Sequence, residues 1–258
     1  GRGAEVYAFL REAGSRYMQF LPVVEFVKMQ GKKNRPRIVE PGTPGAVPSF
    51  WSVSAGGFGR FLCDVFDAWL KADVGRRYVQ LFDSALSAWC GLREGVCVFG
   101  KTCQGNAVIE HNGDLYVCDH FVYPRYRLGN VLETPLRELM GRQAVAAFAF
   151  RKWTSLPRRC LQCPYLPACN GECPQHRDPA TGVNVLCEGY RQFFDYALSR
   201  SGADIATTIM IGDNLQTDIL GAMRVGIDAI FFNRFPDYPA EEPVTYEVTH
   251  LRQLQALL

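Results

Sequence analysis

Eight of the ten cysteines lie between residues 97 and 187, and four of them fall within one short loop. The loop reads RRCLQCPYLPACNGECPQH over residues 158–176, so its cysteines follow the spacing C-x2-C-x5-C-x3-C. Thiolate sulfur is a preferred ligand of zinc and of iron–sulfur clusters, so this spacing predicts a metal site. The eight positions are Cys97, Cys103, Cys118, Cys160, Cys163, Cys169, Cys173 and Cys187.

The local spacing leaves the kind of metal open. Four closely spaced cysteines are typical of a structural zinc knuckle, although eight thiols also suffice for two four-thiolate sites. Disulfides are a weaker interpretation, because the sequence shows no export signal and clustered thiols in a reducing compartment usually bind metal. We therefore expect a cytoplasmic protein. Cys63 and Cys90 lie on apolar helical stripes and are predicted to be core residues.

Composition restricts the class of protein. The chain has 258 residues, 48% of them hydrophobic, and its 28 basic and 26 acidic residues give a formal charge of +2. So small a net charge indicates no broad field for nucleic acid or a membrane surface, and we expect neither as a partner. No apolar run approaches the roughly 20 residues that span a bilayer. The chain begins without Met inside a helical pattern, so we expect a piece of a longer protein.

The elements that would position the cysteines begin with a helix predicted over residues 4–14. The apolar run YMQFLPVVEF (17–26) is typical of a buried strand in a parallel sheet. A long loop is predicted over 31–56, followed by a helix whose apolar stripe includes Phe58, Leu62 and Val65. The segment RRYVQLFDSALSAW (76–89) reads as a strand that runs into a helix.

A hairpin is predicted ahead of the cysteine-rich loop. In NAVIEHNGDLYVCD (106–119), two β-rich arms flank Asn112–Gly113, a pair that suits the positive φ angles of a type I′ turn. A helix is predicted around EGYRQFFDYALSR (188–200). The pattern then changes to strand, Gly-Asp turn, helix and strand, which places a boundary near residue 202.

The order of all eight cysteines carries more information than the loop alone. C-x5-C-x14-C, then C-x2-C-x5-C-x3-C and a last cysteine thirteen residues on, resembles the SPASM domain of radical SAM enzymes. The segments YMQFLPVVE, GDLYVCDHFVYPRYRLGNV and CEGYRQFFDYA resemble the anaerobic sulfatase-maturating enzymes of that family in particular. The resemblance covers roughly residues 1–200.

This resemblance implies an α/β fold built from a partial radical SAM (β/α) barrel, an α+β SPASM iron–sulfur domain and a small Rossmann-like C-terminal fragment. Residues 1–50 correspond to the end of the barrel, 51–91 to linking helices and a strand, 92–202 to the SPASM domain, and 203–258 to the fragment. In the family, the SPASM domain carries two auxiliary 4Fe–4S clusters with interleaved ligands. By position, Cys97, Cys103, Cys118 and Cys173 would hold the first, and Cys160, Cys163, Cys169 and Cys187 the second.

Members of this family cleave S-adenosylmethionine reductively at a third 4Fe–4S cluster and oxidise a Cys or Ser of a sulfatase peptide to Cα-formylglycine. The resemblance therefore implies a peptide or protein substrate and a reductant such as flavodoxin or ferredoxin. Asp119 matches the Asp of the family's Cys-Asp pair, which is the proposed general base, and a turn-capping role is the alternative. Phe121, Tyr123 and Tyr126 are candidates for a peptide groove or for the core.

One departure from the family is decisive for activity. The barrel binds its cluster through C-x3-C-x2-C, and no such triplet occurs in this sequence, so we expect this chain alone to be inactive. Two alternatives stay open. One is a maturase of other peptides, such as those with thioether crosslinks, and the other is a non-catalytic metal-binding or electron-transfer module, with zinc as a candidate metal.

The C-terminal segment IGDNLQTDILGAMRVGIDAIFF (211–232) resembles the last catalytic motif of haloacid dehalogenase-like phosphatases. The resemblance implies that Asp213 binds Mg²⁺ and that Asp218 supports the site, since carboxylate oxygens suit a hard cation. The D-x-D nucleophile motif of those enzymes is missing upstream, so the segment reads as a vestige without phosphatase activity, joined by fusion or by an assembly error.

Overall fold

The computed structural model describes residues 2–30, 35–103, 105–200, 208–224, 226–235 and 244–257. The helices are α1 (Gly3–Glu12), α2 (Ala55–Ala72), α3 (Gln80–Trp89), α4 (Leu136–Met140), α5 (Gln143–Thr154), α6 (Arg158–Leu161), α7 (Leu166–Cys169), α8 (Cys187–Arg200) and α9 (Leu220–Arg224). The strands are β1 (Tyr17–Met18), β2 (Phe26–Gln30), β3 (Arg35–Ile38), β4 (Val47–Pro48), β5 (Tyr78–Val79), β6 (Val108–Ile109), β7 (Asp114–Tyr116), β8 (Arg127–Asn130), β9 (Ile209–Gly212), β10 (Asp228–Phe232) and β11 (Tyr246–Val248). The predicted boundary near residue 202 lies outside the described residues.

The strands form four small sheets. Strands β1 and β5 pair in parallel, so the segment that we expect to link two domains also pairs with the N-terminal segment. Strand β2 lies between β3 and β4 in an antiparallel sheet, and β7 lies between β6 and β8 in another. The C-terminal sheet is parallel, with β10 between β9 and β11. The predicted α/β class is confirmed.

The run 17–26, predicted as one buried strand, is strand only at its two ends, in β1 and at Phe26, where β2 begins. Residues 19–25 are irregular, and Leu21 and Val23 are exposed. Pro22 has no backbone N–H to donate to a ladder, which accounts for the break. The prediction of a loop over 31–56 is also wrong in part, because β3 and β4 flank β2 as edge strands. Their residues Pro36 and Pro48 are tolerated there, since an edge strand leaves some N–H positions unpaired.

The predicted hairpin is present, but its turn is not type I′. Ile109 lies opposite Leu115, and the N–H of Glu110 donates to the carbonyl of Asp114 at 2.8 Å, so residues 111–113 form the tip of the turn. Gly113 has a φ of +87° and donates its N–H to the carbonyl of Glu110 at 2.8 Å. A type I′ turn needs a positive φ at both central residues. The residue before Gly113 does not have one, because the positive-φ non-glycine residues in the described ranges are elsewhere.

One hydrophobic core joins the N-terminal elements to the helix that follows the cysteine-rich loop. The rings of Phe66 and Phe82 lie 5.4 Å apart, and that of Phe193 stacks 5.1 Å from Phe82. The predicted stripe of α2 is confirmed, since Phe58, Leu62 and Val65 are buried. Because this core includes α2, α3 and α8, it fixes the first turn of α8 against the N-terminal part of the chain.

Helices α2 and α8 approach most closely at two glycines. A Cβ atom at Gly189 would lie 2.2 Å from the carbonyl oxygen of Ala55, and one at Gly59 would lie 2.9 Å from the Cα of Gly189. A side chain at either position would therefore push the helices apart. This contact holds Cys187, two residues before Gly189, at a fixed place.

Two smaller cores support the hairpin and the C-terminal sheet. The hairpin core contains Leu115, Val117, Phe121, Leu128 and Leu139. The C-terminal core contains Ile219, Ala222, Ile227, Ala229 and Phe231. Across the part of the chain that the structure describes, no helix combines the length and the apolar character that crossing a membrane requires.

The buried carboxyl group of Asp83 on α3 is expected to make the stability of the fold depend on pH. Its Oδ2 is buried and has no hydrogen-bond partner among the described residues, and burial raises the pKa of the carboxyl group. A raised pKa means that the folded state prefers the protonated acid, so stability is lost as pH rises through that pKa. Asp83→Asn is expected to raise the melting temperature at pH 7, and the gain should shrink as pH falls below the raised pKa.

Asp67→Asn on α2 is the matched control, with the opposite sign. The Tyr196 hydroxyl donates to Asp67 at 2.6 Å and the Arg200 Nε at 2.9 Å, and these hydrogen bonds lower the pKa of Asp67 despite partial burial. Asp67→Asn should lower the melting temperature at pH 7, with an effect that fades as pH falls through the lowered pKa. Equal responses of the two variants across pH 3–8 would contradict both assignments.

Candidate metal centre

All ten cysteines are free thiols. Cys63 on α2 is buried, as predicted for a core residue, and burial raises the pKa of its thiol to about 11. Cys90 is half-buried at the end of α3. The other eight divide into two sets of four when their surroundings are compared.

The first thiol group is defined by one cavity. Cys97, Cys103, Cys118 and Cys173 all line a cavity of about 670 Å³, and the other four of the eight do not. Burial raises the pKa of Cys118 to about 12, with a smaller contribution from Cys97. Burial also raises the pKa of Cys173, and the thiols of Cys118 and Cys103 add to it. These electrostatic effects are consistent with the shared cavity that the four residues line.

Three contacts hold the first thiol group in place. The backbone N–H of Cys103 donates to the carbonyl of Ala149 on α5 at 3.2 Å. The side-chain amide of Asn106 reaches the Sγ of Cys97 at 3.5 Å. On the hairpin side, the Nδ1 of His120 lies 3.6 Å from the Sγ of Cys173. The cavity wall therefore draws on α5, the hairpin and the cysteine-rich loop together.

The second thiol group consists of Cys160, Cys163, Cys169 and Cys187. Burial raises the pKa of Cys169 to about 12, and Cys187 and Cys160 contribute to the shift. Burial also raises the pKa of Cys187, and Cys160 and Cys163 raise it further. These residues come from α6, the residues between α6 and α7, the end of α7 and the start of α8. An ion pair between Arg159 and Glu188 connects α6 to α8 beside them.

The cysteine-rich loop reverses direction between the two groups through three left-handed residues. Asn170, Gly171 and Glu172 have φ angles of +48°, +72° and +50°. A left-handed conformation costs a non-glycine residue about 1 kcal/mol or more, so other contacts must hold it. The Asn170 amide provides one, donating to the carbonyl of Phe99 at 2.7 Å. The turn separates Cys169, in the second thiol group, from Cys173, in the first.

Glu172 is held by a buried polar network. Its carboxylate is 1% exposed and lies 2.9 Å from the Nδ1 of His176. The Asn184 amide also donates to it, and the Tyr190 hydroxyl does so at 3.5 Å. Burial alone would raise the pKa of Glu172, but the interaction with His176 outweighs burial and lowers it. The same interaction raises the pKa of His176 despite burial, so the two form an ion pair.

Two further buried cations lie beside the thiols, and sequence reasoning missed both. Lys152 on α5 is 1% exposed and donates to the carbonyls of Cys97 and Val98 at 2.7 and 2.8 Å. Arg177 donates through Nη1 to the Ser155 hydroxyl at 3.0 Å. Nothing in the local sequence marks either residue, because their burial is decided by tertiary packing.

Asp119, predicted as a general base, lines the cavity of the first thiol group and is exposed to it. Its Oδ1 accepts from the Cys118 thiol at 3.3 Å and from the His120 backbone N–H at 3.1 Å. Its own backbone N–H donates to the carbonyl of Asn106 at 3.2 Å. The carboxylate of a cavity-lining residue is therefore fixed beside a cysteine through one of its oxygens.

The predicted aromatic candidates divide between two roles. Phe121 lines the cavity and is also part of the hairpin core. Tyr126 packs its ring 4.9 Å from that of Phe121 in the same core. Tyr123 is half-buried and, like Tyr126, is not among the described residues that line the cavity. The irregular segment 19–25, which the sequence predicts as a strand, forms another part of the cavity wall.

Of the two C-terminal carboxylates, Asp213 directly follows β9, and Asp218 lies in the helical turn Leu215–Ile219. Asp213 forms an ion pair with Arg234 at 2.8 Å, and Asp218 accepts from the backbone N–H of Asn214 at 3.1 Å. The charge of Asp213 is thus already compensated by a cation. A Mg²⁺ site at these residues stays a prediction.

The donor set consists of thiols, the ligand type that iron–sulfur clusters use. In the described ranges, no three Cys, His, Asp or Glu side chains are placed to hold a metal ion directly. Two groups of four thiols match the four-cysteine ligation of 4Fe–4S clusters. A buried, unpartnered nitrogen, Nη2 of Arg177, also lies near both groups and is suited to a sulfur acceptor.

The buried network around Glu172 is expected to stabilise the folded state. Glu172→Gln removes the buried charge that pairs with His176 and is expected to lower the free energy of unfolding by about 1–3 kcal/mol. Urea denaturation of the anaerobically purified chain measures the change. Glu188→Gln is the control, because its ion pair with Arg159 is exposed and should contribute less than about 1 kcal/mol. Equal losses in the two variants would be inconsistent with a structural role for the Glu172 network.

Comparison with known proteins finds a family model that covers part of the cysteine-containing region. The SPASM iron–sulfur cluster-binding domain matches residues 97–164, and a HAD-hydrolase-like family matches residues 190–234, beginning inside α8. The chain is 43% identical over 228 residues to a serine-type anaerobic sulfatase-maturating enzyme of Bacteroides thetaiotaomicron, covering 86% of this chain and 54% of the relative. It is 32% identical over 197 residues to the serine-type enzyme of Klebsiella pneumoniae, covering 76% and 45%.

The fold is similar to that of a solved sulfatase-maturating enzyme. The structure of native anSMEcpe with bound AdoMet and Cp18Cys peptide matches with a TM-score of 0.62 and 24% identity, covering 77% of this chain and 53% of that one. The chain thus spans about half the length of the relatives that it matches. Over that half it is similar to the serine-type anaerobic sulfatase-maturating enzymes, and it contains a SPASM domain match and a C-terminal match to a HAD-hydrolase-like family.

Proposed function

We propose that this chain is the twin-cluster part of a radical SAM peptide oxidase that converts a sulfatase residue to Cα-formylglycine. The observation that carries the proposal is the cavity, since four cysteines and Asp119 line it together. In this proposal the first thiol group holds one 4Fe–4S cluster and the second thiol group holds another. All eight cysteines are free thiols, as suits cluster ligands in the reducing cytoplasm.

The peptide would enter the same cavity. Its wall combines the irregular segment 19–25 with the first thiol group, and Gln19 and Gln175 offer amides to a peptide backbone. A volume of about 670 Å³ suits a short extended segment rather than a folded protein. The relatives from Bacteroides and Klebsiella are named serine-type, so we favour a serine as the residue that is modified.

Asp119 would accept the proton that leaves the modified residue. One carboxylate oxygen is held by Cys118 and by the backbone N–H of His120, which leaves the other free to face the peptide. A base must reach the proton that it removes, and the lining position of Asp119 meets that condition. Clusters of this type supply one-electron transfer when they are bound.

Initiation of the reaction requires parts that this sequence does not contain. Family members use a C-x3-C-x2-C triplet for the cluster that cleaves S-adenosylmethionine, and this sequence has none. We propose that an upstream segment provides this triplet and that a flavodoxin or ferredoxin provides electrons. A Mg²⁺-dependent role for the C-terminal segment has no support beyond the position of its two carboxylates.

Iron content tests the proposal. The anaerobically reconstituted chain is expected to be brown and to bind about eight iron and eight sulfide atoms, as two 4Fe–4S clusters require. Cys118→Ala should bind about half as much iron, because it removes one ligand of the first thiol group. Cys63→Ala is the control, since its thiol belongs to the core, and should bind the full amount. Colourless protein that carries zinc would contradict the proposal and favour a structural metal module.

The role of Asp119 is testable in a longer protein that carries the upstream triplet. Asp119→Asn is expected to slow peptide oxidation by about 10²–10⁴-fold, because a general base contributes on this order. Iron content should stay unchanged, since Asp119 is not a proposed ligand. Mass spectrometry of a serine-containing peptide measures the product. Wild-type rates in Asp119→Asn would leave Asp119 with only a structural role in the turn.

A further inference from the structure

Arg177 combines burial with an unsatisfied donor. The residue is 7% exposed, and its guanidinium lies inside the protein between the cysteine-rich loop and the end of α5. Nε donates to the carbonyl of Gly171 at 3.3 Å, and Nη1 donates to the Ser155 hydroxyl at 3.0 Å. Nη2 is buried and has no hydrogen-bond partner among the described residues. A buried donor without an acceptor destabilises the folded state, so an acceptor is expected at this position.

Arg177 lies against the turn that separates the two thiol groups. Its Nε donates to the carbonyl of Gly171, the middle residue of the left-handed turn between Cys169 and Cys173, and a Cβ atom at Gly171 would lie 2.9 Å from Nη2. The pKa of Arg177 agrees with this position, since burial lowers it while Cys160, Cys173, Glu172 and Cys103 act in the opposite direction. Lys152 differs, because its ammonium donates to the carbonyls of Cys97 and Val98, on the side of the first thiol group.

We propose that Arg177 is a positioning residue that serves both clusters, with Nη2 donating to a sulfur atom of the cluster on the Cys160 side. This inference rests on the proposed function, since it requires clusters at both thiol groups. A 4Fe–4S cluster with four thiolate ligands carries net negative charge, which increases on reduction. A fixed cation and an N–H donor nearby therefore favour the reduced form and raise the reduction potential.

The chemistry of arginine suits this role. Its guanidinium is charged at neutral pH and presents several donors in a rigid plane. Two of those donors are used to fix the plane against the backbone of Gly171 and the hydroxyl of Ser155. The remaining nitrogen, Nη2, is then held in a fixed direction without further loss of side-chain freedom. A lysine at this position would keep the charge but lose the fixed orientation.

The experiment compares reduction potentials in the reconstituted chain. An EPR-monitored redox titration is run on the wild type and on Arg177→Gln, Arg177→Lys and Lys152→Met, with iron content measured in parallel. Arg177→Gln is expected to make both midpoint potentials more negative. Lys152→Met, the control for loss of one buried cation, should shift only one of them. Arg177→Lys should show a smaller shift than Arg177→Gln, because it keeps the charge and loses the planar donor.

Three results would overturn the inference. The first is two loaded clusters in Arg177→Gln with both midpoints at the wild-type values. The second is a shift of a single midpoint in Arg177→Gln, as for Lys152→Met. The third is loss of both clusters in Arg177→Gln and Arg177→Lys alike, which would make Arg177 a general packing residue. Failure of the proposed function is distinguishable, because the wild type itself would then bind no iron–sulfur cluster.

Discussion

The left-handed turn at residues 170–172 is the constraint on which the arrangement of thiols depends. Cys169 and Cys173 are separated by three residues, yet they belong to different thiol groups. A continuous helix from α7 would place residues four apart on the same face, so the chain has to leave the helix between them. Glu172 holds the turn through its buried pair with His176, and Asn170 anchors it to the carbonyl of Phe99.

The same region concentrates charge inside the protein. Arg177, Lys152 and the Glu172–His176 pair are all buried. Arg177 interacts electrostatically with cysteines of both groups, and Lys152 with cysteines of the first group. Burial raises the pKa values of most of these thiols, so binding iron must release protons from them. Buried cations offset the negative charge that thiolates and clusters bring. Cluster binding and folding of the loop are therefore expected to be one coupled event.

Sequence reasoning reached the thiols but not the network that positions them. The spacing of Cys160, Cys163, Cys169 and Cys173 indicates metal, but on local spacing alone it favours a single knuckle. Only the order of all eight cysteines, matched to a family, suggests two sites. Asn170 and Gly171 are residue types that tolerate a left-handed conformation, whereas Glu172 is not, and its buried partners come from farther along the chain. The backbone of 19–25 was predicted poorly because a continuous apolar run reads as a strand even where Pro22 interrupts the ladder.

The most direct measurement is the iron content of Cys169→Ala, Cys173→Ala and the variant that combines both substitutions. If the turn divides two clusters, each single variant should retain about four of eight iron atoms, and the double variant should retain almost none. Additive loss of this kind requires the two cysteines to serve different clusters. If instead they belong to one site, the double variant would hold as much iron as either single variant, and the division at residues 170–172 would be wrong.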